Sequence, residues 1–198
     1  MSDRVGGTFD IVAIAASAGG LTAISAVLEG LPPSFPAAVL VVQHVDPRHR
    51  SLMASILSRR TRLAVKEAEA GEGIVPGTVY VAPPNRHLLV NADGTLVLTQ
   101  TELVHFVRPS ADLLFESVAA SFHDRAIAVV LSGTGVDGAM GVEAVKKMGG
   151  TIIAEDEQSS EFFGMPQAAI QTGFVDFVLP LGEISSALQS LVTAGETE

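Results

Sequence analysis

Asp10-Ile11-Val12-Ala13-Ile14-Ala15-Ala16-Ser17-Ala18-Gly19-Gly20 decides how the rest of this chain is read. An unbroken apolar run ends at a serine and passes directly into residues too small to cover it. Such a run reads as a buried strand, and the glycines after it as a tight turn into a helix at 21–29. A serine at that turn stands proud of the sheet's carboxyl edge, beside the unpaired N–H groups of a helix start. An acyl-transfer nucleophile needs both features, an exposed oxygen and donors for an oxyanion. A serine that only N-caps the helix would produce the same local pattern.

Outward from that turn, apolar runs alternate with helical patterns. Strands are expected at 11–16, 38–43, 63–67, 78–82, 88–91, 96–100, 126–132, 151–155 and 175–179. Helices are expected at 21–29, 51–59, 111–122, 139–148, 166–171 and 183–191. Fully apolar strands separated by helices indicate an α/β, doubly wound, three-layer fold with a mainly parallel sheet. Asp93-Gly94 between two apolar runs adds an antiparallel hairpin at 87–100, as an insertion or a sheet edge. Met1 to Gly7 and Ala194 to Glu198 read as loose ends, and no internal linker or repeat interrupts the pattern.

Composition narrows the function. The length, 198 residues, suits one domain at a soft prior of roughly 150 residues each. Although 47% of residues are hydrophobic, no run approaches the roughly 20 needed to span a bilayer, so membrane insertion is not expected. There is no cysteine, hence no disulfide framework or thiolate site, and no apolar core of a signal peptide precedes Asp10. These features predict a cytoplasmic protein. A net charge of −10, with no basic stretch longer than Arg59-Arg60, argues against nucleic acid as a partner. Arg48, Arg50, Arg59, Arg60 and Arg62 form a local basic cluster, either a docking face for an acidic partner or a solvated helix surface.

Ligands of doubly wound sheets bind outside the carboxyl ends of the strands. The first strand ends in Ser17, the second in Gln43-His44-Val45-Asp46, and the strand at 126–132 in Gly133-Thr134-Gly135-Val136-Asp137-Gly138. Three neighbouring carboxyl ends would then carry Ser17, His44 and Asp137, the parts of a nucleophile, a general base and an orienting carboxylate. Their order along the chain differs from the Ser, Asp, His order of the α/β hydrolases. His44 could instead be a satisfied strand-end histidine, and Asp137 a helix cap.

Two other chemistries compete for the same residues. The stretch 133–138 matches G-x-G-x-x-G between a strand and a helix, with Glu155 near the place of a ribose-binding acid. That would make the chain a nucleotide-binding, Rossmann-like module. Asp137 opposes this reading, because it puts a carboxylate where a pyrophosphate should sit. A metal site from His44, Asp46 and His49 is the weaker competitor, interrupted by Pro47 and flanked by arginines.

The chain resembles the catalytic domain of the chemotaxis protein-glutamate methylesterases, the CheB family, from about Phe9 to Val192. The resemblance rests on Ala15-Ala16-Ser17-Ala18-Gly19-Gly20, Val42-Gln43-His44, Val65-Lys66-Glu67-Ala68 and Tyr80-Val81-Ala82-Pro83. It continues in Arg108-Pro109-Ser110-Ala111-Asp112-Leu113-Leu114-Phe115, Leu131-Ser132-Gly133-Thr134-Gly135-Val136-Asp137-Gly138 and Phe163-Gly164-Met165-Pro166. It implies a serine hydrolase that demethylates glutamate γ-methyl esters on the cytoplasmic helices of chemoreceptors, with receptor glutamine deamidation as a second activity. The nucleophile falls on Ser17, the base on His44 and the carboxylate on Asp137, with no cofactor. Ala18, Gly19 and Thr134 fall in the substrate or oxyanion environment, and Arg108 and Met165 beside the cleft. The turn at 133–138 then serves to present Asp137, its glycines allowing close packing around His44.

Three departures from the family pattern accompany the resemblance. Ala18 stands where the family usually has threonine, so a hydroxyl near the nucleophile is absent; an inactive adaptor that docks on receptors would carry the same change. Thr134 replaces a frequent methionine. The phospho-receiver domain that usually precedes the catalytic domain is not expected in this chain, which implies activity insensitive to phosphodonors and control by a separate regulatory partner.

Overall fold

The computed structural model describes residues 9–44 and 52–194. The segment Ile11–Ala16 forms β1, and each of its residues is fully buried. Alternate side chains of β1 enter different cores, as the pleat of a strand requires. Val12, Ile14 and Ala16 face one cluster, while Ile11, Ala13 and Ala15 face the other. A strand covered on both faces must be apolar throughout, which accounts for the unbroken run in the sequence.

The remaining strands are β2 (Ala38–Gln43), β3 (Ala64–Glu67), β4 (Thr78–Val81), β5 (His87–Val90), β6 (Leu96–Thr99), β7 (Ala126–Val130), β8 (Thr151–Glu155) and β9 (Phe177–Leu179). Seven of them form one sheet in the order β3-β4-β2-β1-β7-β8-β9, and every pairing in it is parallel. The hairpin β5–β6 forms its own antiparallel sheet rather than an edge of the main one. Its turn is closed by Asn91 N–H to the Thr95 carbonyl at 2.9 Å and by Asp93 Oδ1, which accepts from the amide and hydroxyl of Thr95.

Helices cover both faces. On one side lie α1 (Gly20–Glu29), α2 (Met53–Leu57) and α6 (Leu181–Thr193), which bury Ile24, Val27, Leu57, Ile184 and Leu188 against the sheet. On the other lie α3 (Ala111–Phe122), α4 (Ala139–Lys147) and α5 (Gly164–Gln171). There Leu114, Phe115, Val142 and Val145 share a core with Leu88, Val90 and Leu96 of the hairpin. The hairpin is tied to α3 by Ser117 and Ser121, whose hydroxyls bond the N–H and the carbonyl of Val90. The α/β three-layer expectation holds, with the hairpin packed on a helix instead of completing the sheet.

The crossing of α3 and α4 depends on Gly141. A Cβ there would lie 2.6 Å from Phe115 Cβ and 3.1 Å from the Asp112 backbone. Gly141→Ala therefore forces the two helices apart, and overpacking of this kind typically costs about 1–3 kcal/mol. A lowered urea midpoint at unchanged slope is the expected result; a midpoint equal to wild type would show that α3 and α4 do not depend on that close approach.

Candidate active site

The topology brings the three expected residues together by strand order. The central strand β1 lies between β2 and β7, so their carboxyl ends are adjacent. In the β1–β2 register Ala16 pairs with Gln43, which places Ser17 and His44 one step beyond the same rung. Neighbouring strands lie about 4.8 Å apart. His44 N–H donates to the Ala16 carbonyl at 3.1 Å, extending the ladder one residue past the strand. The loop after β7 then carries Asp137 to His44, whose Nε2 bonds Asp137 Oδ2 at 2.8 Å.

That bond assigns the imidazole. An ionised carboxylate only accepts, so the proton lies on Nε2 and Nδ1 is the nitrogen left to act as a base. The Ser17 hydroxyl makes no hydrogen bond among the described residues, and catalytic hydrogen bonds commonly tighten only when substrate is bound.

Asp137 is 3% exposed and accepts four hydrogen bonds. Besides His44, the donors are Ser110 Oγ at 2.8 Å, Ala111 N–H at 2.6 Å and Asp112 N–H at 3.2 Å. Burial alone pushes its carboxyl up, but the bonds from His44, the two amides and Ser110 outweigh it and hold it below the ordinary aspartate value. Asp137 thus occupies the N-terminus of α3, where a negative charge is favoured. Its ionised form is favoured, and it accepts the bond from His44.

The serine turn is fixed from several sides. Ser17 N–H donates to the Ser132 carbonyl at 3.0 Å, and Gln43 Nε2 donates to the Ser17 carbonyl at 2.6 Å. Ser132 Oγ donates to the Ala18 carbonyl at 2.8 Å and accepts from Phe162 N–H at 2.9 Å. Gly19 adopts φ 73°, where a Cβ would also strike Ser132 Oγ at 2.7 Å and Glu161 Oε2 at 2.8 Å. Gly133 lies directly against Ser17, since its Cβ would fall 2.9 Å from Ser17 Cβ and 2.4 Å from Met165 Sδ. The amides of Ala18, Gly19 and Thr134 give hydrogen bonds to no backbone acceptor among the described residues. They remain available as oxyanion donors.

The other expected residues divide. Met165 is buried at the Ser17 turn. Arg108 spends its guanidinium within the chain, with Nε and Nη2 on Asn85 Oδ1 at 2.9 and 2.6 Å and Nη1 on the carbonyls of Gln100 and Thr101. It clamps the loop before β5 to the loop after β6. The glycines of the 133–138 turn make their nearest approaches elsewhere than His44, namely Gly133 to Ser17 and Met165 and Gly138 to Ala111 and Phe115. Gly135, at φ 92°, meets nothing within 4 Å and serves the turn itself. Asp46 and His49 of the metal reading, and Arg48 and Arg50 of the basic cluster, lie outside the described residues. Among the described residues no three metal-ligating side chains converge.

The nucleotide reading fails on its anion site. The amides of Gly138 and Gly141 at the start of α4 already donate to Asp112 Oδ1 at 2.9 and 2.8 Å. Glu155 faces inward, taking Ser132 N–H at 2.8 Å and the Ser159 hydroxyl at 3.2 Å. The sequence reading missed Gln43, Ser110, Asp112, Ser132 and Glu155 as supports. The available signal was a polar residue at the end of an apolar strand or in a helix's first turn, where buried polar groups must find partners.

A strand-end serine, a histidine on the neighbouring strand end and a buried carboxylate, at the carboxyl edge of a parallel sheet, are the groups that a serine-hydrolase type of centre requires. The chain matches the CheB methylesterase family over residues 12–188 and belongs to it. It is 43% identical over 184 residues to the protein-glutamate methylesterase FrzG of Myxococcus xanthus, covering 93% of this chain and 55% of that protein. It is 40% identical over 185 residues to a protein-glutamate methylesterase/protein-glutamine glutaminase of Thermotoga maritima, covering 92% and 54%. The chain thus spans about half the length of these curated relatives. The crystal structure of the Thermotoga maritima CheB methylesterase catalytic domain superposes with a TM-score of 0.89 at 40% identity, covering 93% of this chain and 99% of that one.

Glu155 supplies a test of the support under the serine turn. It is fully buried, and burial pushes its carboxyl above the ordinary glutamate value despite the bonds from Ser132 and the neighbouring hydroxyls. A raised folded-state pKa favours folding while the group is protonated, and that advantage is lost as pH rises past the unfolded value of about 4.3 and through the higher folded one. Glu155→Gln removes the titration. The Tm of the variant minus that of wild type is expected to increase across this window; a difference constant with pH would refute the assignment.

Proposed function

We propose that this chain is a protein-glutamate methylesterase, hydrolysing glutamate γ-methyl esters on the cytoplasmic helices of methylated chemoreceptors, with receptor glutamines as a second, amide substrate. The observation that carries the proposal is the 2.8 Å bond from His44 to a buried Asp137, at the strand end beside Ser17. Family membership supports the substrate class. The receptor as partner, the cytoplasm as location and a separate regulatory protein are parts of the same proposal.

In this mechanism His44 Nδ1 takes the Ser17 proton as Oγ attacks the ester carbonyl. The amides of Ala18, Gly19 and Thr134 receive the oxyanion, and Asp137 stabilises the imidazolium. The imidazolium returns the proton to the departing methoxide, and methanol leaves. Water then attacks the acyl-enzyme, with His44 again as base, and Ser17 is released with a glutamate carboxylate. For a glutamine side chain the leaving group is ammonia. Ala18 contributes only its backbone, so all proton transfer passes through His44.

Ser17→Ala and His44→Ala are expected to abolish most methanol release from methylated receptor while leaving the far-ultraviolet spectrum unchanged. Asp137→Asn is expected to lose turnover as well, in a template where the equivalent change costs roughly 10⁴-fold. Near-wild-type release by purified Ser17→Ala would eliminate the mechanism. Receptor binding with no methanol released by the wild-type chain would instead identify a docking adaptor.

Met165 packs at the Ser17 turn, whereas Arg108 joins two loops beside the hairpin. If the loops that Arg108 clamps contact the receptor, Arg108→Ala is expected to raise KM for methylated receptor more than it slows a small model ester. Equal losses on both substrates would place the effect on the fold instead.

A further inference from the structure

A second carboxylate lies behind the catalytic one. Asp112, in the first turn of α3, is 2% exposed. Its Oδ1 takes the N–H groups of Gly138 and Gly141 at 2.9 and 2.8 Å, and its Oδ2 bonds His105 Nε2 at 3.0 Å. Gly138 directly follows Asp137. Asp137 in turn takes the backbone N–H of Asp112 itself, together with those of Ala111 and the Ser110 hydroxyl.

The arrangement is reciprocal. Each aspartate side chain holds the start of the helix to which the other belongs or leads. Asp137 binds the first amides of α3, and Asp112 binds those of α4. Gly141 makes the exchange possible, because only a residue without Cβ lets α4 come so close to Asp112. His105 adds a third anchor. It is held at φ 48°, in the left-handed region, within a turn closed by the Val104–Val107 pairing.

We infer that Asp112 is a positioning residue for catalysis, clasping the Asp137 loop so that the catalytic carboxylate meets His44 in one geometry. The inference rests on the esterase reading above. A structure that bonds Asp137 only from α3 would fix its carboxylate oxygens but leave its backbone free to swing about the loop. Asp112 fixes that backbone through Gly138. Burying a second carboxylate beside the first is unfavourable, and burial together with the Asp137 charge pushes the Asp112 carboxyl up. The two amides at the start of α4 and His105 counter part of that cost.

The experiment begins with methanol release by the wild-type chain. If the wild type is inert on methylated receptor, the esterase reading fails and the inference falls with it. With an active wild type, Asp112→Ala is expected to lower kcat by as much as about 10²-fold, the scale for catalytic groups displaced by an ångström, with KM changed far less. Asp112→Asn keeps Oδ1 as acceptor for both amides and is expected to restore most of the lost turnover. Amide hydrogen exchange provides the second readout. The Ala111 amide bonds to Asp137 and not to the Asp112 side chain, so it is expected to exchange faster in Asp112→Ala along with Gly138 and Gly141. A local capping role would speed only Gly138 and Gly141. Should Asp112→Ala fail to fold, Asp112→Ser, with a shorter acceptor at the same position, serves the same comparison. The inference is overturned if the truncated variant keeps wild-type kcat, if Ala111 stays as protected as in wild type, or if Asp112→Asn folds and is as slow as the truncation.

Discussion

The rest of the site depends on how one buried carboxylate is kept charged. Asp137 has given up water almost entirely, a transfer that would normally favour the protonated acid. It is held ionised by two α3 amides, the Ser110 hydroxyl and the His44 ring. Because two of the four donors are backbone amides of a helix start, those two cannot move away without unwinding α3. The imidazole is therefore aligned by an acceptor that is itself fixed to the core, where Leu114 and Phe115 of the same helix are buried. Removal of a packing residue far from the chemistry would reach His44 by this path.

Helix starts around the site are used in two ways. Those of α3 and α4 carry carboxylates of the chain itself, Asp137 and Asp112. That of α1, beside Ser17, has no side-chain cap and no acidic residue in its first turn. Glu161 packs against Gly19 but bonds none of these amides. The start of α1 thus has no carboxylate of the chain bonded to it, as the proposed mechanism requires of oxyanion donors.

The fold was legible because period and burial agree. Val12, Ile14 and Ala16 on one face and Ile11, Ala13 and Ala15 on the other make β1 apolar at every position, and only a two-sided sheet has that requirement. The candidate triad was legible because strand ends are marked by the last apolar residue before Ser17 and His44. The supports were less so. Ser132 does its work through both its backbone carbonyl and its hydroxyl, on Ser17 and Ala18, the latter 114 residues away in sequence, and no local pattern announces such contacts. The hairpin was legible as a hairpin from Asp93-Gly94, but its docking on α3 through Ser117 and Ser121 depends on a helix face that periodicity alone does not assign.

The glycine pattern at 133–138 shows why a motif must be read with the atoms it leaves free. In a dinucleotide site those glycines let a pyrophosphate reach the amides of the following helix. Here the same backbone leads into α4, yet Asp112 already fills the position of the anion, and Asp137 projects from the turn toward His44. Gly133 is used for a different approach, that of the turn to Ser17 and Met165. One loop geometry thus supports two chemistries, and the choice between them rests on the carboxylates. A chain that presents its own anions to the helix start has no room there for a phosphate, but it gains a rigid base on which a histidine can be held.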